Sequence, residues 1–146
     1  MSRIRVAGIV PMGDGFAFMH RKDVVKRKDI QEYYTFPGGG LEEGESLEEG
    51  TIREIKEEFG ITVEVLRKVY ELYSEKFEQK EYFFLCKYVD GEFGTGDGPE
   101  FSNNPKYKDS GKYIPEIVSR DKVKDILLLP PEIKEKLVND INEKNF

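Results

Sequence analysis

Residues 39–61 read GGLEEGESLEEGTIREIKEEFGI, and the middle of this segment carries start and stop signals for a helix. Ser46 and Glu49 form a Ser-x-x-Glu capping box, in which each side chain satisfies a backbone N–H of the other residue. Gly60 is suited to the left-handed conformation that commonly ends a helix. These signals predict a helix over residues 46–59.

The predicted helix has an apolar face and an acidic face. At about 100° per residue, an apolar arc of about 140° contains Leu47, Thr51, Ile52, Ile55 and Phe59. Glu54, Glu57 and Glu58 fall in an adjoining arc of roughly 100°. Two carboxylates about 5 Å apart repel by about 3 kcal/mol at an effective dielectric constant near 20, so this cluster favours a bound cation. Hard oxygen ligands select Mg²⁺ or Mn²⁺, although the glutamates alone leave open a merely solvated acidic face.

The wider spacing of the segment is more specific than its glutamates. Gly39 is followed after five residues by Glu45, and after seven more by the run from Arg53 to Ile61. This pattern resembles the Nudix box of the MutT-like Nudix hydrolases at every fixed position, and the preceding Phe36-Pro37-Gly38 is also similar to that family. The resemblance implies an α/β protein, an α/β/α sandwich with a central mixed β-sheet, that hydrolyses a diphosphate bond.

The resemblance also implies roles for individual residues. The ligands that it implies for Mg²⁺, with Mn²⁺ as a substitute, are Gly38 through its carbonyl group, Glu54, Glu57 and Glu58. Glu54 and Glu57 are thereby predicted to be catalytic, and Glu45 and Arg53 are predicted to orient the carboxylates through ion pairs and hydrogen bonds. Arg53 has a plainer alternative as an i,i+4 surface partner of Glu57.

Gly50 departs from the family pattern, in which alanine is frequent at this position. A glycine inside a helix costs about 1 kcal/mol relative to alanine. We therefore expect the backbone of the loop from Gly38 to Gly44, or the substrate, to approach the helix closely at Gly50. A tolerated first-turn glycine is the alternative.

The water nucleophile needs a general base, which Nudix enzymes place either in the box or on a distal loop. Four acids outside the box are considered: Glu92, Asp97, Glu100 and Glu116. Glu100 is preferred because Gly98-Pro99 would hold it on a constrained turn, whereas Glu116 lies in a predicted strand and is more simply a strand-surface carboxylate. The only histidine, His20, is interpreted as a strand-end residue.

The predicted substrate is a nucleoside triphosphate, ordinary or oxidised, which would yield a nucleoside monophosphate and pyrophosphate. The predicted substrate contacts are Arg21, Tyr34, Gly39 and Gly40. Nucleobases stack on aromatic faces, and the aromatic candidates for this contact are Tyr33, Tyr34, Phe101 and Tyr107. No proline occurs between Pro37 and Pro99, so the proline that marks many ADP-ribose pyrophosphatases is missing.

Two alternatives to hydrolysis stay open on the sequence. A non-catalytic nucleotide sensor of the same fold usually lacks box glutamates, whereas this chain has them all. A Nudix-fold isomerase of allylic diphosphates uses additional cysteine and histidine ligands, and this chain has one of each in separate predicted strands.

Composition sets the remaining expectations. A chain of 146 residues with 38% hydrophobic residues is expected to form a single domain over residues 1–146. A net charge of -6 argues against stable nucleic acid binding, but a small anionic nucleotide remains accessible through divalent cations. No apolar run predicts a membrane span and no secretory signal is recognisable, so a cytoplasmic protein is expected. The single cysteine excludes an internal disulfide, and nothing selects between a monomer and a homodimer.

Hydrophobic patterns outside the box predict mainly strands. The predicted strands cover residues 3–11, 15–20, 61–77, 80–90 and 113–118, with a short extended piece at 33–36. The first two strands are joined as a hairpin at Met12-Gly13-Asp14-Gly15, which contains the Asp-Gly signature of a hairpin turn. Residues 21–32 and 91–111 are predicted loops, 120–126 a helical turn, and a terminal helix begins at Pro130-Pro131.

Overall fold

A computed structural model describes residues 3–25, 29–101 and 111–146 of the chain. Its strands are β1 (Arg3–Ile9), β2 (Pro11–Met12), β3 (Gly15–Lys22), β4 (Tyr33–Thr35), β5 (Gly38–Gly40), β6 (Ile61–Ser74), β7 (Gln79–Gly91), β8 (Lys112–Ser119) and β9 (Leu128–Leu129). The two α-helices of the described part are α1 (Leu47–Phe59) and α2 (Pro131–Asn142). Short 3-10 turns cover Pro99–Phe101 and Arg120–Asp125.

The strands form two mixed sheets. The first has the order β5-β1-β7-β6, in which β1 is parallel to β7 and the other pairs are antiparallel. The second has the order β2-β3-β4-β9, with β8 on the other side of β3 and with β4 parallel to β9. The predicted α/β class is confirmed, although the described strands form two sheets where the sequence led us to expect a single central one.

The helices lie on opposite sides of the first sheet. Val6 on β1 belongs to the buried cluster that contains Ile55 and Phe59 of α1. Its neighbour Ala7 belongs to a second cluster, to which α2 contributes Leu137. Successive residues of a strand point to opposite faces, so α1 and α2 cover different faces and complete the predicted α/β/α sandwich. No helix in the described ranges is long and apolar enough to span a membrane.

The box helix begins and ends as predicted. The N–H of Glu49 donates to Ser46 Oγ at 3.0 Å, and the N–H of Ser46 donates to Glu49 Oε1 at 2.9 Å. Gly60 ends the helix with φ of 76°, and its N–H donates to the carbonyl of Lys56. These caps satisfy backbone groups that helix ends otherwise leave unpaired.

The predicted N-terminal hairpin is wrong in part. The segment expected as one strand over residues 3–11 is divided between β1 in the first sheet and β2 in the second, and only β2 pairs with β3. Pro11 begins β2, and because proline has no N–H it cannot continue the hydrogen-bonding pattern of a central strand. The chain therefore changes sheets at this point.

Other boundaries also differ from the predictions: the strand expected over residues 61–77 ends at Ser74, and β9 was not predicted. Gly38–Gly40, expected as part of a loop, forms β5 against β1, where a Cβ at Gly38 would lie 2.2 Å from the carbonyl oxygen of Val6. Only glycine permits this close backbone approach. Arg21, expected in a loop, lies in β3, because that strand pairs with β8 as far as Lys22.

Candidate active site

A cavity of about 910 Å³ is lined by the acidic face of α1, by strands of both sheets and by the Pro99–Phe101 turn. Its lining from β1, β3, β4 and β7 comes from alternate residues, which share one face of each strand. The charged residues that line it are Arg3, Arg5, Arg21, Glu42, Arg53, Glu54, Glu57, Glu58, Lys76, Glu81 and Glu100. The three box glutamates and the preferred general base of the sequence analysis therefore face one space.

Arg53 organises the acidic face of α1. Its Nε donates to Glu45 Oε2 at 2.6 Å and its NH2 group to Glu45 Oε1 at 3.1 Å, which makes a bidentate pair. Its NH1 group donates to Glu54 Oε1 at 2.9 Å and to Glu57 Oε2 at 3.2 Å. The guanidinium thus fixes two cavity carboxylates. Arg53 makes the hydrogen bonds expected of a residue that orients the carboxylates, and it also makes the i,i+4 pair with Glu57 that was the plainer alternative.

Glu45 fixes Arg53 in turn. Its Oε1 also accepts a hydrogen bond from the backbone N–H of Glu42 at 3.0 Å. The hydrogen bond from Arg53 lowers the pKa of Glu45, so its carboxylate stays charged and continues to hold the guanidinium. The loop before α1 and the acidic face of α1 are joined through this pair.

Glu58 is the most enclosed of the box glutamates. Its Oε2 accepts a hydrogen bond from the N–H of Gly38 at 3.1 Å. Burial raises the pKa of Glu58 well above its usual value, the charges of Glu54 and Glu100 raise it further, and Arg5 lowers it. Burial likewise raises the pKa of Glu54, against the opposing effect of Arg53. A cation placed between these carboxylates would relieve both desolvation and mutual repulsion.

The donor set fits a hard divalent cation in its chemistry. Glu54, Glu57 and Glu58 supply only carboxylate oxygens, the ligands that Mg²⁺ takes in small number together with substrate oxygens. Within the ranges 3–25, 29–101 and 111–146, no three His, Cys, Asp or Glu side chains are positioned together so that they could hold a metal ion as they stand. In this structure the positive charge between Glu54 and Glu57 comes from Arg53.

Two glycines, Gly39 and Gly50, let neighbouring side chains approach closely, and a third, Gly40, binds Arg53 through its carbonyl group. A Cβ at Gly39 would lie 2.6 Å from the Glu54 carboxylate, and the carbonyl of Gly40 accepts a hydrogen bond from Arg53 at 3.1 Å. At Gly50 a Cβ would lie 2.7 Å from Leu41 Cδ1. The expected close approach at Gly50 is present, and it comes from side chains of the loop rather than from its backbone.

The glycine-rich segment 91–98 packs on the C-terminal end of α1. The N–H of Gly94 donates to the carbonyl of Phe59 at 2.9 Å, and the N–H of Gly98 donates to the carbonyl of Glu57 at 2.9 Å. A Cβ at Gly96 would lie 2.4 Å from the carbonyl oxygens of Glu57 and Glu58. The segment therefore satisfies backbone carbonyls at the helix end and continues into the turn that carries Glu100.

Glu100 differs from the other distal acids. It lines the cavity from the Pro99–Phe101 turn, and its Oε1 is buried without a hydrogen bond from any described residue. Burial and the charge of Glu57 raise its pKa, whereas its own backbone N–H and Arg21 lower it. Glu92 and Asp97 are exposed and lie outside the cavity lining.

Comparison with known proteins agrees with this geometry. The family model of the NUDIX domain matches residues 1–108. The chain belongs to the Nudix family. A NUDIX hydrolase from Nitrosomonas europaea superposes with a TM-score of 0.71 over 99% of this chain and 72% of that chain, at 20% sequence identity. This likeness shows the Nudix fold.

Two curated Nudix relatives match about half of the chain. A putative 8-oxo-dGTP diphosphatase of Bacillus subtilis is 35% identical over 77 residues, which are 53% of this chain and 50% of that protein. An RNA pyrophosphohydrolase of Campylobacter jejuni is 35% identical over 79 residues, which are 53% of this chain and 50% of that protein. The chain spans about half the length of the curated relatives it matches.

The substrate contacts expected from the Nudix resemblance are not all at the cavity. Arg21 lines it, with its guanidinium 3.7 Å from the ring centroid of Tyr113. Tyr34 lies outside its lining and stacks on His20 with ring centroids 4.1 Å apart, while its hydroxyl donates to Glu116 Oε2 at 2.7 Å. Because strand residues alternate, Tyr33 faces the cavity.

The other expected aromatic and glycine residues also include some that do not line the cavity. Phe101 packs against Tyr113 with ring centroids 6.3 Å apart and is not among the lining residues, and Tyr107 lies outside the described residues. Gly38 lines the cavity. Gly39 and Gly40 instead accommodate Glu54 and bind Arg53.

Several lining residues of this Nudix chain were missed in the sequence. Arg3 and Arg5 on β1, Lys76 in the β6–β7 turn and Glu81 on β7 all face the cavity. The alternation of β1 did place Arg3 and Arg5 on one face, but only the pairing of β1 with β7 shows that this face continues the cavity.

Proposed function

We propose that this chain is a Mg²⁺-dependent Nudix pyrophosphohydrolase that cleaves a diphosphate bond in a nucleotide. One observation carries the proposal: Glu54, Glu57 and Glu58 face the same cavity as Glu100, whose buried Oε1 accepts no hydrogen bond from a described residue. An acceptor without a donor beside a cluster of potential metal ligands is the arrangement that activation of a water nucleophile requires.

The box glutamates, Arg53, Glu100 and Arg21 each have a defined task in the proposed reaction. When bound, Mg²⁺ supplies neutralisation of phosphate charge and polarisation of phosphoryl oxygens. Glu100 takes the proton of the attacking water at Oε1, the water oxygen bonds to phosphorus, and the anhydride bond between two phosphates breaks. Arg53 keeps Glu54 and Glu57 oriented throughout, and Arg21 is placed to contact a phosphate oxygen.

The proposed substrate is a nucleoside triphosphate, ordinary or oxidised, which is cleaved to the monophosphate and pyrophosphate. The name of the Bacillus relative supports a purine deoxynucleotide, and the name of the Campylobacter relatives, RNA pyrophosphohydrolase, supports cleavage of a diphosphate bond on RNA. A cavity of about 910 Å³ lies in the size range of pockets that bind small organic ligands. The net charge of -6 favours a small nucleotide over a long nucleic acid.

The test is turnover of a substrate panel with Mg²⁺. The panel contains ordinary nucleoside triphosphates, 8-oxo-dGTP, ADP-ribose, dinucleoside polyphosphates, nucleotide sugars and a 5′-triphosphorylated RNA, and the assay measures release of phosphate and pyrophosphate. We expect pyrophosphate and monophosphate from a nucleoside triphosphate, and no product without divalent cation. Tight binding of a nucleotide without turnover of any compound would instead indicate a nucleotide sensor.

A further inference from the structure

Glu81 and Arg5 form a charged pair in the cavity that the proposed reaction does not use. They are direct register partners on the parallel strands β1 and β7, and both side chains face the cavity. Arg5 Nε lies 3.8 Å from Glu81 Oε1. The same cavity face continues to Phe83, the next residue of that face along β7.

Glu81 is enclosed but has spare hydrogen-bonding capacity. Its side chain is 9% exposed, and Arg5, at 33%, is its charged partner among the described residues. An ionised carboxylate has about four acceptor sites and no donor. Burying a charge is unfavourable unless it is well paired, and a separation of 3.8 Å is longer than a hydrogen bond. The carboxylate is therefore available to a donor group on a ligand.

One side of this pair is apolar, whereas the other side carries Arg3 and Gln79, the preceding residues of the same face on β1 and β7. Phe83 packs edge-to-face on Phe36 with ring centroids 5.4 Å apart, and both rings line the cavity. Leu129 and Pro130 line it from the second sheet. An aromatic base fits such a slot between the sheets, with a small number of polar groups to orient it.

The pair lies at a suitable distance from the acidic face of α1. Gly38, which binds Glu58, is the register partner of Ala7 on β1, and Ala7 is in turn the partner of Phe83 on β7. Two inter-strand spacings, about 10 Å, separate Gly38 from Phe83 across the sheet, and Glu81 lies two residues, roughly 7 Å, further along β7. The sugar and first phosphate of a nucleotide can bridge this separation, with its diphosphate at the box glutamates and its base at Glu81.

We propose that Glu81 and Arg5 form the base-recognition subsite and select a guanine-type base. The guanine edge presents two donors, N1–H and the N2 amino group, which Glu81 would accept, and one acceptor, O6, to which Arg5 would donate. Adenine presents an acceptor at N1, which would face the carboxylate without a proton between them. A site that pairs with donors rejects an analogue that lacks them, because its own polar groups are then left unpaired. Since 8-oxoguanine has the same edge, this pair would accept it equally.

This inference rests on the proposed function, and Glu81→Gln tests it. We expect the wild type to have a higher kcat/KM for dGTP than for dATP, and dITP, which lacks the N2 amino group, to fall between them. A glutamine amide both donates and accepts, so Glu81→Gln should lower the dGTP/dATP ratio of kcat/KM by at least about tenfold. Glu71→Gln is the matched control, because Glu71 is exposed and pairs in register with Tyr82, on the other face of β7.

Binding of GDP and ADP, measured by calorimetry without divalent cation, separates failure of the inference from failure of the proposed function. Tighter binding of GDP that is lost in Glu81→Gln would support the inference even if no nucleotide were hydrolysed. If Glu81→Gln lowered turnover and binding equally for guanine and adenine nucleotides, Glu81 and Arg5 would be only a structural ion pair. That result would overturn base selection while leaving hydrolysis intact.

Discussion

Glu57 is the box glutamate most accessible to a ligand, because its side chain is 33% exposed whereas that of Glu54 is 14% exposed. Its Oε2 accepts a hydrogen bond from Arg53 NH1 at 3.2 Å. We predict that Glu57→Gln lowers kcat by about 10²- to 10³-fold, the effect typical of removing one group that stabilises transition-state charge. Partly exposed ion pairs contribute little to stability, so the thermal midpoint should change by only a few degrees.

The matched control for Glu57→Gln is Glu48→Gln, which removes the same charge from an exposed position in the first turn of α1. Steady-state kinetics with the best substrate of the panel and a melting curve for each variant make the comparison. Near wild-type turnover in Glu57→Gln would contradict the assignment of Glu57 as a metal ligand. A collapse of the melting transition would show a structural role instead.

Glu100→Gln tests the general base. Because burial raises the pKa of Glu100, the wild-type rate should rise with pH as this carboxyl loses its proton and becomes able to accept one from water. Glutamine cannot accept that proton, so kcat should fall by about 10²- to 10⁴-fold and the rising part of the pH profile that belongs to Glu100 should disappear. KM should change little, because the residue acts on the water.

The distal loop offers a control for this substitution. Asp97→Asn removes a neighbouring exposed carboxylate that lies outside the cavity lining. Its rate and pH profile should match those of the wild type. An unchanged rate and profile in Glu100→Gln would move the general base back to the box glutamates.

At the scale of elements, the segment 91–98 links the end of α1 to Glu100. The carbonyl of Glu57 accepts from Gly98, and Gly96 packs directly on the carbonyls of Glu57 and Glu58. Gly96→Ala would place a Cβ 2.4 Å from those oxygens, which belong to backbone that cannot turn aside. We predict a loss of about 1–3 kcal/mol in unfolding free energy, measured by urea denaturation, and a reduced kcat because Glu100 is displaced.

Asp97→Ala is the matched control for Gly96→Ala. It changes the adjacent residue of the same segment to the same side chain, at an exposed position. Wild-type stability and turnover are expected. If Gly96→Ala also kept both, the packing of this segment on α1 would not be what positions Glu100.

Local elements were predictable from the sequence where their signals are local. The capping box and Gly60 lie at the two ends of one helix, so the local pattern located them. The pairing of Arg53 with Glu45 was expected from the family resemblance, and the two residues lie within the same box. The sequence did not predict which alternate residues of β4 face the cavity, because it does not show which face of the strand meets the cavity. Tyr34 was therefore expected at a site that Tyr33 lines.

Pairings between distant segments could not be predicted, because no local sequence signal specifies them. The division of residues 3–11 between two sheets depends on β7, which pairs with β1 across most of the chain. Glu81 looks from the sequence like any polar residue of an alternating strand. Its place beside Arg5 exists only because β1 and β7 lie parallel in register, so the base-recognition pair could be inferred only from the assembled fold.

At the scale of the whole molecule, Cys86 reports on global unfolding, because it is the chain's only thiol and is 1% exposed in the cluster that contains Ile55 and Phe59. Burial raises its pKa to about 12, so little reactive thiolate is present at pH 8. An aromatic disulfide reagent should label the native protein at least about 10³-fold more slowly than the urea-unfolded chain.

A ligand that binds only the folded state should slow this labelling further. With Mg²⁺ and a non-hydrolysable nucleotide at about 100 times its Kd, we predict that the labelling rate falls by about 100-fold, because the unfolded population falls by that factor. Glu81→Gln with a guanine nucleotide at the same concentration should show a smaller reduction, since its affinity is lower. Rapid labelling of the native protein that is unaffected by nucleotide would mean that Cys86 is reached by a local opening between α1 and the sheet, separate from the nucleotide cavity.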